Sequence, residues 1–343
     1  MQKQNLFGLN ITEIEGMVTS YGHNPSLAKD ICTWMYRRGC RSVFDMVSIP
    51  MDLRKKLDST YSIQLTEPES WQVSSDGTTK YLLRTMAGNP FETVFMPGEK
   101  RNTLCISTQS GCRMDCGFCY TGRLGLLENL TAANILGQLV SISQKQQVNR
   151  IVIMGMGEPL DNPIEVMRAL EILNAPWGYG FGAVNITLST VGIIPQLQQL
   201  VTARLCNIAI SLHSPFPNQR ARMMPAEHDF PILEVVYFLK KNQPKKPLRL
   251  SFEYVVLPSE NDSPEHAQAI ATLLKQLVCH VNVIPLNTAK QDERLWQAAR
   301  AFQQMLMGLN IRTTLRQSRG QDIEAACGMM AGRSPDVIPP VSR

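Results

Sequence analysis

Apolar residues recur at helical spacing through the first sixty positions, and short β-rich runs follow. Leu27, Ile31, Trp34 and Met35 share one face of a helix that Asn24 and Pro25 open and Gly39 ends. A second helix is predicted after Ser48 and Pro50, with Leu53 and Leu57 turned inward and Arg54, Lys55 and Lys56 outward. A turn signal at Asp76 and Gly77 separates 71–73 from 81–83, the pattern of a hairpin. From about residue 100 candidate strands at 103–107, 150–154, 184–188, 206–211, 248–255, 281–284 and 311–315 alternate with amphipathic stretches such as 131–143 and 163–173. Asp161 and Asn162 are read as caps of the second stretch. This alternation predicts an α/β protein, a partial or complete (β/α) barrel on a parallel sheet with its chemistry at the carboxyl ends of the strands. A small helical domain with a β segment is expected over 1–95, the barrel over 96–333 and a loose tail over 334–343.

With 44% hydrophobic and 18% charged residues, the chain is neither disordered nor fibrous, and no uncharged apolar run reaches the length of a membrane span. Glu13 and Glu15 do not fit a secretory signal, so the expectation is a soluble cytoplasmic protein. The net charge is +5; residues 1–100 balance eleven Lys/Arg against eleven Asp/Glu, so the whole excess lies downstream. Arg37, Arg38, Arg41, Arg54, Lys55 and Lys56 nonetheless form a basic surface on the neutral N-terminal unit, read either as a solvated face or as a nucleic-acid contact. Nine cysteines without an export signal point to metal binding or catalysis rather than to disulfides.

Three of those cysteines, Cys112, Cys116 and Cys119, form a CxxxCxxC triplet directly after a predicted strand. Three thiolates leave a tetrahedral zinc or a [4Fe-4S] cluster one ligand short. A cluster can use that open iron to take up a chelating cofactor; a structural zinc would need a fourth ligand, and no histidine lies near. Gly157 and Glu158, after the second strand, combine close backbone approach with a carboxylate able to pair an ammonium. Cys105 precedes the triplet on the strand, and Cys327 lies far downstream between Arg319-Gly320 and Gly328, the setting of a mobile loop thiol suited to nucleophilic work. Cys32, Cys40, Cys206 and Cys279 read as packing residues.

The triplet with Phe118 before its last cysteine resembles the radical S-adenosylmethionine (SAM) superfamily. Segments along almost the whole chain, among them Thr103-Leu104-Cys105, Met154 to Pro159, Leu188-Ser189-Thr190, Ser211 to Pro215, Asn282 to Asn287 and Asp322 to Gly328, closely resemble its RlmN/Cfr family of RNA methyltransferases. That resemblance implies a barrel of radical SAM type, a [4Fe-4S] cluster on Cys112, Cys116 and Cys119, and SAM bound by Gly157, Glu158, Ser189, Ser211, Leu212, His213 and Asn287. It further implies that Cys327 carries a methyl from one SAM while a second SAM supplies the radical that activates it. The methyl carbon then joins a ring carbon of adenosine in large-subunit rRNA, and for some members in tRNA. Cys105 resolves the protein–RNA adduct through a transient disulfide, and Glu92 accepts a proton. The implied partners are RNA and an electron donor such as a flavodoxin, with a monomeric enzyme and no membrane.

Against the usual family pattern, Met329-Met330 stand where Gln is typical, Tyr120 where a small residue is, and Met224 to Glu227 where a Pro-Ile-Asn run is. Ser214-Pro215 and Gly192 to Pro195 lean toward carbon-8 enzymes, whereas Lys80 to Leu83 and Phe91 to Val94 lean toward carbon-2 enzymes, and carbon 2 is favoured. The rivals are a radical SAM enzyme with a non-RNA substrate and a metal-stabilised RNA-binding protein. Neither needs the pair Cys105 and Cys327.

Overall fold

The computed structural model describes residues 3–288 and 292–332; the expected tail 334–343 lies outside the described residues. Ten strands form the main sheet: β1 (Ser70–Val73), β2 (Thr79–Arg84), β3 (Pro90–Met96), β4 (Thr103–Ile106), β5 (Arg150–Ile153), β6 (Ile186–Thr190), β7 (Asn207–Ser211), β8 (Leu250–Val256), β9 (Cys279–Pro285) and β10 (Thr313–Leu315). They lie side by side in strict chain order. β1 to β4 pair antiparallel, and β4 to β10 pair parallel. Each parallel crossover carries at least one helix, as the topology requires. The edge strands β1 and β10 do not pair with each other among the described residues, so the barrel is partial.

The strand sequences explain their placement. β7 is buried on both faces over most of its length, as a central parallel strand must be, and β6 alternates buried and half-buried residues. The helices start where backbone chemistry directs them. Thr131 and Asn134 form a capping box, and Pro163, Pro217 and Pro264 occupy first-turn positions where a missing N–H costs nothing. Asn162 is not a side-chain cap: its Nδ2 donates to Thr108 O and Leu130 O at 3.0 and 2.7 Å and ties two loops together. Asn24 likewise sits two positions before the N-cap Ser26, its Oδ1 accepting from Ser26 N ahead of a helix over Leu27–Cys32 that widens into a π turn over Thr33–Arg37.

The expected hairpin is present as β1 and β2, and with β3 it extends the barrel sheet itself, so strands from the first ninety-six residues share one sheet with the barrel. The helical unit before it is seated on the barrel by Tyr36. Its hydroxyl donates to Leu9 O at 2.6 Å, and its ring packs against Phe7, Trp177 and Tyr179. Arg168 bridges Glu13 and Glu165 across the same seam. No helix among the described residues is long and apolar enough to cross a membrane.

Candidate active site

The carboxyl ends of β4 to β10 converge on one cavity of about 180 Å³, lined by Cys105, Cys112, Cys116, Cys119 and Cys327 together with Gly157, Glu158, Ser189, Ser211 and His213. Five thiols separated by up to 222 positions in the chain thus meet at one place. No three His, Cys, Asp or Glu side chains among the described residues converge tightly enough to hold a single ion. Thiolates on one tetrahedral zinc would have to sit about 4 Å apart. Cys112, Cys116 and Cys119 line one cavity together and supply three thiol donors to a metal centre. Burial pushes the Cys112 thiol up to about 12 and Cys116 further, so binding such a centre must displace protons.

The loop after β5 works through its glycines. A Cβ on Gly155 would lie 2.6 Å from Ser107 Oγ, and one on Gly157, at φ +97, would lie 2.5 Å from Gln109 Cβ. Only glycine lets this loop sit on the turn that follows β4. Glu158 is then fixed by three donors: Leu160 N and Thr190 Oγ1 to Oε1 at 3.0 and 2.5 Å, and Val191 N to Oε2 at 2.9 Å. Burial outweighs these bonds and raises its carboxyl to about 7.

His213 takes a left-handed backbone at φ +53, and its Nδ1 accepts from Val255 N at 3.0 Å, which puts the ring proton on Nε2. Burial, helped by Arg220, drops its pKa to about 3. Phe118 meets this ring edge to face at 4.8 Å between centroids.

The segment that carries Cys327 is tied down, contrary to the expectation of a mobile loop. Asn287 Nδ2 donates to Cys327 O at 2.9 Å, Tyr120 N to Gly328 O at 2.8 Å and Thr121 Oγ1 to Met330 O at 2.6 Å. Asn287 therefore holds the cysteine segment and, like Leu212, does not line the cavity. Glu92 does not line it either. Only 1% exposed, it faces Lys80 at 3.5 Å and accepts from Ala331 N at 3.2 Å, and burial raises its carboxyl despite both partners. Cys105 is raised to about 12 by burial and by Cys327, with Arg316 opposing. All nine cysteines are free thiols.

Three participants escaped the sequence reading. Glu253 and Arg316 line the cavity 4.0 Å apart, with Arg316 Nη1 also 3.3 Å from Met154 Sδ. Arg220 is fully buried and donates to Leu212 O at 3.0 Å and Ser211 O at 2.7 Å while pairing with Glu227, so it braces the Ser211–His213 backbone. One of two arginines on a short helix after Phe216-Pro217, Arg220 carries no sequence signal of this. Of the atypical positions, Met330 lines the cavity, Glu227 is the partner of Arg220, and Tyr120 packs near Arg123 outside the cavity.

Comparison with known proteins agrees with this geometry. The model of the radical SAM superfamily matches residues 106–270, and that of the ribosomal RNA large subunit methyltransferase N-terminal domain matches residues 4–63. The chain is 40% identical over 334 residues to a probable dual-specificity RNA methyltransferase RlmN of Bacteroides fragilis, covering 96% of this chain and 97% of that protein. It is 36% identical over 338 residues to the dual-specificity RNA methyltransferase RlmN of Geotalea uraniireducens, covering 97% and 98%. The crystal structure of a radical SAM methyltransferase from Sphaerobacter thermophilus superposes with a TM-score of 0.85 at 35% identity, covering 96% of this chain and all of that one. Membership of the superfamily implies SAM and a [4Fe-4S] cluster as cofactors. With the cysteine-lined cavity at the strand ends and relatives this similar over their full length, the chain belongs to the RlmN family of radical SAM RNA methyltransferases.

Proposed function

We propose that this protein methylates carbon 2 of adenosine in large-subunit rRNA and in tRNA through an S-methylcysteine on Cys327. The observation that carries the reading is the convergence of Cys105 and Cys327 on the cavity lined by the Cys112, Cys116 and Cys119 thiols. Those three thiols would hold a [4Fe-4S] cluster, and Gly157, Glu158, Ser189, Ser211 and His213 would receive SAM. The bound pair supplies a methyl group and, with an electron from outside, a carbon-centred radical.

The protein's own groups account for the remaining steps. A ring carbon of adenine has no lone pair with which to attack a sulfonium, whereas the Cys327 sulfur accepts a methyl readily and holds it beside the base. Cys105, buried and raised to about 12, stays a thiol until it is needed. Losing its proton, it attacks the Cys327 sulfur: the S–S bond forms as the bond from that sulfur to the methylene carbon breaks, the electron pair of the broken bond passes into the attached adenine system, and a proton completes the new methyl group, which frees the RNA and leaves a disulfide for later reduction. Glu92, with its raised carboxyl, would take the proton lost from the ring once the 325–331 segment shifts off it. His213, neutral at working pH, orients SAM by hydrogen bonding without adding charge. On this reading the enzyme acts as a monomer in the cytoplasm, draws electrons from a flavodoxin-type donor and consumes two SAM per turnover.

The test is mass spectrometry of anaerobically purified, cluster-loaded protein incubated with SAM and no RNA. One methyl on the Cys327 peptide, absent from Cys327→Ala, is expected. Deoxyadenosine formation without that methyl would refute the mechanism. Nucleoside analysis of the treated RNA then separates 2-methyladenosine from 8-methyladenosine.

A further inference from the structure

A second and larger cavity of about 820 Å³ opens at the opposite end of the barrel, against the amino-terminal ends of the parallel strands. Lys100, Arg101, Arg150, Arg249, Arg316 and Arg319 line it, against Glu99 and Glu253 as its acids. Glu253 lies within ion-pair distance of Arg316. Lys100, Arg101, Arg150 and Arg249 have no carboxylate within 4 Å among the described residues. Arg150 and Arg319 instead donate to the carbonyls of Val184 and Pro97. After burial, the nearby Arg101 and Arg249 are what lower the proton affinity of Arg150, and Arg312 and Arg249 do the same to His280. Clustered cations without counter-charge repel one another, and an incoming polyanion relieves that repulsion.

The bowl also leads to the chemistry. Met154, Glu253 and Arg316 line both cavities, so a single layer of side chains separates the bowl from the space that holds Cys105 and Cys327. Its volume falls within the ~300–1,000 Å³ of clefts that enclose a small ligand, enough for one nucleotide. The N-terminal helical face is the competing basic surface and lies away from the cysteine-lined cavity, with several of its cations held in local contacts. Arg38 lies 4.2 Å over Trp34, Arg41 pairs with Glu67, Arg54 donates to Phe44 O and Lys56 to Tyr21 O.

We propose that RNA enters through this amino-terminal mouth, its phosphates held by Lys100, Arg101, Arg150 and Arg249, and that one unstacked nucleotide reaches toward Cys327 past Glu253 and Arg316. The inference rests on the reading of the protein as an RNA methyltransferase.

The test uses the cluster-loaded full-length protein and a fluorescein-labelled RNA stem-loop with an adenosine in its loop, followed by anisotropy across a salt series. Arg101 and Arg249 are exposed, so Arg101→Ala/Arg249→Ala leaves the core untouched. The pair should weaken binding about tenfold at low salt and flatten the slope of log K against log salt by roughly 1.5, since each phosphate contact contributes about 0.7–0.9. Arg101→Lys/Arg249→Lys should restore the slope, whereas in the alanine pair the KM for RNA methylation should rise with kcat little changed. Unchanged affinity and slope in the alanine pair, with the loss appearing in Arg38→Ala/Lys55→Ala, overturns the proposal. Because binding is read without turnover, failure to methylate would count against the catalytic reading and leave the entry route to be decided by the anisotropy.

Discussion

Replacing Glu227 by Ala should expose how much the Ser211–His213 backbone at the cavity depends on one buried ion pair. Arg220 is 0% exposed and Glu227 5%, and the guanidinium spends its donors on Leu212 O, Ser211 O, Val191 O, Phe230 O and the Glu227 carboxylate. Removing the carboxylate leaves a cation without counter-charge in the interior and strips Ile232 N of its acceptor. Breaking one side of such a pair costs about 3–5 kcal/mol. At about 2.1 cal/mol/K per residue the unfolding entropy of a 343-residue chain is roughly 0.7 kcal/mol/K, so Tm should fall by about 4–7 °C. The assay is calorimetry under argon, with SAM affinity measured in parallel by equilibrium dialysis, which should weaken because Ser211, Leu212 and His213 lose their brace. Arg220→Met/Glu227→Met removes the uncompensated buried charge and should recover only part of the lost stability, because the carbonyls of Ser211 and Leu212 and Ile232 N still lose their partners. A change under 1 kcal/mol for Glu227→Ala, with SAM affinity unchanged, would refute this account.

Other substitutions address separate parts of the site. His213 has a folded pKa of about 3 against 6.5 in the unfolded chain, so its contribution to stability is complete above pH 6.5 and is lost as pH falls toward 3. His213→Asn should therefore flatten the acid side of the stability–pH curve, as read by urea denaturation at successive pH values. Gly157→Ala combines a positive φ with a Cβ 2.5 Å from Gln109 Cβ and should cost about 2–4 kcal/mol, measured by thermal melting. Asn287→Ala releases the Cys327 carbonyl, so the rate of Cys327 methylation should drop while SAM affinity holds. Weakened SAM binding in that variant would instead return Asn287 to the cofactor site.

Local order in the chain was enough to predict the barrel. Alternating β runs and amphipathic stretches located all seven parallel strands to within a few residues, and the CxxxCxxC spacing located the cysteine loop that lines the cavity, because both depend on neighbours in sequence. Cys105 and Cys327 could be singled out by resemblance, but 222 positions separate them, and only the curl of the sheet brings them to one cavity. The roles of Asn162, Asn287 and Glu92 turned on the same difference. Asn162 reads as a cap from local context, and Asn287 and Glu92 take a cofactor-binding and a proton-accepting role from the resemblance, whereas the partners that direct these side chains in the fold lie far along the chain, at Thr108, Cys327 and Ala331. Arg220, Glu253 and Arg316 lay outside the sequence reading because a buried charge is defined by what surrounds it in space. The basic bowl is the extreme case: Lys100, Arg101, Arg150 and Arg249 are scattered through the sequence and become one electrostatic feature only when the first residues of parallel strands are set side by side. Sequence thus determined the elements and the cofactor chemistry, which are local, and the tertiary structure decided which charges and thiols face one another, which is not.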